Sequence, residues 1–187
     1  MAKLALNKFD VAERQLLQAI RMFFREEEPV SIHTLAEAAT QILNDISSDF
    51  NAIQLFRNAA YIREESKKEW FFHLNKSKNF FKHADKDKDA IHEFNDESNH
   101  FSLFDALNLH LQIKRKWMPE TVAFWAWFCM EYPDLIKEDA EIQGQQIDFK
   151  KISLISSHNR KSLISEIIET ARKNPDTLPG VSYEYGL

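Results

Sequence analysis

Only three glycines occur in the 187 residues of this chain, where average usage of about 7% would place roughly 13. A loop that cradles phosphate with its backbone needs residues able to enter φ > 0 and approach the ligand closely, and glycine does this most cheaply. Gly144, Gly180 and Gly186 stand far apart near the C-terminus. The dinucleotide-binding turn, the phosphate-binding loop and the nucleophile elbow are thereby excluded. Cysteine is scarcer still. Cys129 stands alone within the apolar run that includes Phe124 and Phe128, which excludes an internal disulfide and predicts a buried, inert thiol. Long apolar runs are missing too. The longest, residues 122–130, is far below the ~20 residues of a membrane span, and no apolar leader opens the chain. A cytoplasmic protein without membrane contact is expected.

Hydrophobic residues make up 44% of the chain and aromatics 12%, with 15 Phe and 4 Trp, which is ample material for a core. The net charge of -5 argues against a nucleic-acid binder acting through its whole surface, though not against a local basic patch. Apolar residues recur at helical spacing. From Val11 to Arg25 they fall at Ala12, Leu16, Ile20 and Phe23, with Asp10 as the expected cap. Glu26-Glu27-Glu28-Pro29 breaks this helix, and Ser31 is the expected cap of a second that carries Ile32, Leu35, Ala39 and Leu43. The pair predicts an antiparallel hairpin over 10–48. Phe50, Ile53, Phe56 and Ala60 suggest a third helix. Ser66 and Glu69 form a capping box that opens a motif helix over 66–84. A polar loop over 85–99 follows, then a helix carrying Phe101, Phe104 and Leu111.

Pro119 suits the first position of a buried aromatic helix over 119–131, stopped by Tyr132-Pro133-Asp134. Residues 134–157 fit no single pattern, with Gln143–Gln146 read as loop, and Arg160–Lys173 is expected to close the fold as a helix. The expectation is an all-α, single-domain bundle of six to eight helices over 1–174, with an irregular tail over 175–187.

Chemistry concentrates at Lys76–Asp85, where Lys78, Lys82 and His83 lie near a helix end. Cations here complement the helix dipole; they also suit a phosphate, and a His beside them can shuttle a proton. The opening hairpin followed by Lys78, Asn79 and His83 resembles the HEPN family of small α-helical domains, whose motif is an Arg, a polar residue and a following His. The resemblance implies a homodimer and metal-independent action on RNA. It assigns catalytic roles to His83 and Lys78, and where RNA is bound, Lys78, Asn79, Lys82 and His83 are expected to form the phosphate-facing groove. Lys78 stands where the family carries Arg, giving a point charge in place of a bidentate fork. A binding or regulatory module for RNA or a protein partner is therefore the leading expectation, with no cofactor.

Two alternatives remain. His83 and Asp85, with His33 from another helix, offer ligands for a metal-dependent enzyme, and the four-residue spacing of His33 and Glu37 is compatible with shared ligation. Asp85, Asp87 and Asp89 alternate as in a calcium loop, but Ala90 and Asp96 stand where that loop needs Gly and Glu. A structural dimer presenting a helix face to its partner is the third reading.

Overall fold

The computed structural model describes residues 3–55, 64–85, 88–135, 141–142, 145–146 and 157–174. Helix α1 runs Lys8–Phe24 and opens on a capping box one turn earlier than expected. Asn7, not Asp10, is the N-cap: the Asp10 amide donates to Asn7 Oδ1 at 2.9 Å, and the Asn7 amide donates to Asp10 Oδ2 at 3.0 Å. The carboxylate of Asp10 sits in the third helical position of the box, where it still favours the positive end of the dipole. The helix buries Ala12, Leu16, Ile20, Phe23 and Phe24.

The end of α1 shows how the chain turns without glycine. The Glu26 amide donates to Phe23 O and the Glu27 amide to Met22 O, the two bonds of a Schellman motif. Glu26 occupies the position where glycine is usual, with φ of 54°. Helix α2 (Pro29–Ile46) then starts with Pro29 in its first turn. Its cap is Glu28, whose carboxylate accepts the amides of Val30 at 3.0 Å and Ser31 at 2.6 Å. These bonds to the charged form hold the Glu28 carboxyl below its ordinary pKa. Ser31, the expected cap, lies inside the first turn. Ile32, Ala36, Ala39 and Leu43 of α2 are buried in the same core as the apolar stripe of α1, completing the hairpin.

Beyond α2 a single 3-10 turn, Ser47–Phe50, ends on Asn51 at φ 55°, so the start of the expected third helix is not helical. Residues 52–55 are irregular, and the remainder of that expectation lies outside the described residues. The irregular stretch is tied to helix α4 (Ser98–Lys114) by side chains: the Leu55 amide donates to Asp105 Oδ1 and the Ile53 amide to Gln112 Oε1, both at 3.0 Å. The motif helix, α3, covers Glu64–Lys82 and ends where expected. It is already helical at Glu64, so Ser66 is not its cap.

Helix α5 (Pro119–Glu131) brings Phe124, Trp127 and Phe128 to the aromatic core. Phe128 stacks on Phe104 with ring centroids 3.8 Å apart, while Phe124 and Trp127 meet Phe23 of α1 edge-on. Val122 and Trp125 reach the boundary of the core, so the helix is buried on most faces and not all. Cys129 is buried, which pushes its thiol up to about 12. That is the inert thiol expected. Helix α6 (Ser157–Lys173) packs Ile164, Ile168 and Ala171 inward. A two-residue antiparallel pairing, Glu141–Ile142 with Gln145–Gln146, stands at the ends of a stretch expected to be loop. The expected tail lies outside the described residues, and no helix among them is long and apolar enough to cross a membrane.

One buried and one half-buried carboxylate knit these helices together. Glu120, in the first turn of α5 and fully buried, accepts from Arg21 of α1 at 2.8 Å and also from Arg172 of α6. Glu13 of α1 accepts from His110 and Lys114 of α4, each at 2.7 Å, beneath the Phe9 ring stacked on His110. Burial alone would raise the Glu13 carboxyl, but those hydrogen bonds and the neighbouring charges outweigh it and hold it below 4.5.

Two outcomes follow for stability. Replacing Glu26 or Arg115, the latter at φ 56° after α4, by glycine relieves a left-handed strain of about 1 kcal/mol. Urea titration is expected to show each variant more stable than the parent, and a less stable one would refute the strain. A carboxyl whose folded pKa is lowered stabilises the fold above its unfolded value and loses that contribution as pH falls through the folded value. Stability is therefore expected to drop as pH falls below 4.5, with a shallower drop in Glu13→Gln. Parallel pH profiles in urea would rule out this role for Glu13.

Candidate functional site

Residues 70–84 include Lys76, Lys78 and Lys82 and no Asp or Glu, inside a chain of net charge -5. They form the second half of α3 and its exit. At about 100° per residue, Phe72, Lys76, Asn79, Phe80 and His83 fall within one arc of roughly 100°. Phe81 lies on the opposite side, and Lys78 is about 120° around the helix from Phe72.

The inward side is a docking face. Phe81 meets the buried ring of His33 edge-on at 5.6 Å, and Phe94 meets both rings at 5.1 Å. His33 Nδ1 hydrogen-bonds Asn99 Oδ1 at 3.0 Å, while the Asn99 amide donates to the carbonyl of Pro29 at 2.9 Å. One turn along α2, the buried carboxylate of Glu37 accepts the Ser102 hydroxyl at 2.9 Å. The His33–Glu37 pair thus lines a polar seam between α2 and α4. Lys78 also turns toward α2, donating to Gln41 Oε1 at 2.7 Å.

The outward side is open. Phe72 is 62% exposed, and Lys76, Asn79, Lys82 and His83 are exposed as well. The segment after α3 folds back alongside this face. Its His92 hydrogen-bonds the Ser77 hydroxyl at 2.8 Å and lies 5.0 Å from the Phe80 ring. Between the segment and the helix is a cavity of about 330 Å³, lined by Phe72, Lys76, Asn79, Phe80, Ile91 and His92. Ile91 itself is 95% exposed. The last turn of α3 continues into the site through the His83 amide, which donates to Asn79 O at 3.0 Å. A concave, mostly apolar surface with a few polar groups at its rim is what a flat ring system needs for binding.

The expected site residues divide accordingly. Asn79 and His83 share the outward face, and Lys82 stands at its edge. Lys78 is directed to α2. His33 is buried among Phe81, Phe94 and Asn99, whereas His83 and Asp85 are exposed. Among the described residues no three His, Cys, Asp or Glu side chains are grouped to hold a metal. Asp87 of the alternating aspartates lies outside them.

The geometry adds Phe72, Lys76, Phe80 and His92. The first three were accessible by extending the helical period back from His83 through Asn79. His92 was not, because it arrives by a chain reversal that leaves no periodic trace. No family model, curated protein or solved structure matches this chain.

Proposed function

We propose that the protein binds single-stranded RNA across the outward face of α3. The observation that carries this reading is the coincidence, on one helix face, of the exposed Phe72, the half-buried Phe80 and the exposed Lys76 around a cavity, with Lys82 nearby, in a stretch without a single acid. Unpaired bases stack on Phe72 and Phe80, which is the way proteins commonly grip splayed nucleotides. Lys76 and Lys82 offer charge to the flanking phosphates, with His83 beside them. Asn79, which lines the same cavity, supplies a donor and an acceptor for a base edge or a ribose hydroxyl. The HEPN resemblance, carried by Lys78, Asn79 and His83, supports RNA as the ligand, and two of those three residues lie on this face.

The reading is one of binding and not of cleavage. Cleavage in the manner of the HEPN motif needs a cation and the His on the same phosphate, and Lys78 is engaged with Gln41 on another face. The homodimer implied by the resemblance is no part of the proposal, since one chain presents the whole face.

Fluorescence anisotropy with a labelled oligouridine tests this. Phe72→Ala is expected to weaken binding about tenfold, because a base stacked on an aromatic ring contributes ~1–3 kcal/mol. Lys76→Ala with Lys82→Ala is expected to reduce the slope of log K against log salt by about 1.4, at ~0.7 per phosphate contact on a single strand. Lys78→Ala is expected to change affinity less than about twofold, the scale of an exposed polar contact. Undiminished binding by Phe72→Ala, or no binding by the parent protein, would refute the proposal.

A further inference from the structure

A second cavity, of about 360 Å³, opens where the α1–α2 turn, the start of α4 and α6 converge. Phe23 and Ile32 contribute its apolar wall, and Glu26, Glu27 and Asp96 bring three carboxylates to it. Among its described lining residues Lys161 of α6 is the single cation, and Arg25 lies 3.9 Å from the Glu27 carboxylate. The Lys161 ammonium lies 4.7 Å from the centroid of the Phe23 ring and 3.6 Å from Glu26 Oε1. The Glu26 contact is loose and largely exposed, so it holds Lys161 only weakly in that position.

The remaining walls are firm. Asn99 is buried with both ends of its amide engaged, one by His33 and the other by the Pro29 carbonyl. His100 is gripped edge-on by Trp127 at 4.7 Å and by Phe23 at 5.4 Å, and its Nδ1 hydrogen-bonds the Tyr132 hydroxyl at 2.7 Å. Burial first, and the Lys161 ammonium second, push the His100 imidazole down to about 4. At neutral pH the ring is an uncharged hydrogen-bonding group, with the Tyr132 phenol held above its ordinary pKa by burial and nearby carboxylates.

This arrangement selects by charge. A ligand bearing only a positive charge meets the carboxylates but leaves the Lys161 ammonium without a partner from the ligand. One bearing only a negative charge meets Lys161 but faces three like charges. A ligand with both satisfies both sets, and its apolar part has Phe23 and Ile32 to cover. We infer that this cavity binds a small zwitterion of the α-amino-acid type, its carboxylate on Lys161 and its ammonium between Glu27 and Asp96. The site is separate from the α3 face and does not depend on RNA binding.

Isothermal titration of the full chain with three molecules of one carbon skeleton tests the inference: L-leucine, 3-methylbutylamine and 4-methylpentanoate. Leucine is expected to bind saturably, with the amine and the acid each about tenfold weaker or worse, since each lacks one charge-assisted contact. Lys161→Ala and Asp96→Asn are each expected to weaken leucine by about tenfold. Absence of saturable leucine binding overturns the inference, as does an amine or an acid that binds as tightly as leucine. Variants that fold and bind leucine like the parent also overturn it. The three-ligand comparison needs only the unaltered protein, so it decides the matter even where a variant fails to fold.

Discussion

Glu26, Asn51 and Arg115 each hold the left-handed backbone conformation at the end of a helical segment, a position that glycine fills at least cost in most proteins. A chain with no glycine before Gly144 has to reverse direction in this way or lose its helical hairpin. The Glu26 turn sets the distance from Phe24 to Pro29, and thereby the contact between α1 and α2. The Arg115 turn delivers Met118 and Pro119 to the start of α5. Each left-handed residue costs about 1–2 kcal/mol, which burial of the apolar stripes on both sides offsets. The same shortage leaves ligand binding in the first 140 residues to side chains, because the backbone has no place to form a cradle.

Side-chain charge orients the helices that those turns join. Glu120 is buried at the positive end of α5, between guanidinium groups from α1 and α6. A buried ion pair adds little net stability over a packed apolar group, but removing one partner leaves an uncompensated charge and costs about 3–5 kcal/mol. The effect is to penalise any packing in which α6 slides along α5. Glu13 does the same between α1 and α4, and the His33–Asn99 bond fixes α2 against α4. With these five helices held, α3 docks on α2 through Phe81 and Lys78, while Phe72, Lys76 and Asn79 on its other side stay exposed. The proposed RNA-binding face is thus the part of a helix that the core does not require.

The parts of this fold that could be read in advance were those governed by a period. The stripes Ala12–Leu16–Ile20–Phe23 and Ile32–Ala39–Leu43 announced α1 and α2, and Pro119 and Tyr132 marked the ends of α5. Caps were less legible. Asn7 and Asp10 are both good capping residues, and Glu28 is a cap that the usual preference for Ser, Thr, Asp or Asn passes over in favour of Ser31. The Phe50–Ala60 spacing suggested a helix, yet through Leu55 the backbone is irregular and held by Asp105 and Gln112, partners about 50 residues away that no local pattern reveals. Within the candidate site, Asn79, Lys82 and His83 were legible from residue type and spacing. The burial of His33 and Glu37 was not, since polar side chains on a helix resemble a solvated face until their partners on α4 are known. His92 was hidden for the same reason.

The account rests on α3 offering RNA its aromatic and cationic face, and contact at residue resolution tests that most directly. Ultraviolet crosslinking of the full chain to an oligouridine of about 12 nucleotides, within the usual span of single-strand sites, followed by mass spectrometry of the adducts, locates the bound bases. Adducts on Phe72 or Phe80, lost when unlabelled RNA competes, are the predicted result. Competable adducts confined to other surfaces, such as the half-exposed Trp117 and Trp125, would contradict it.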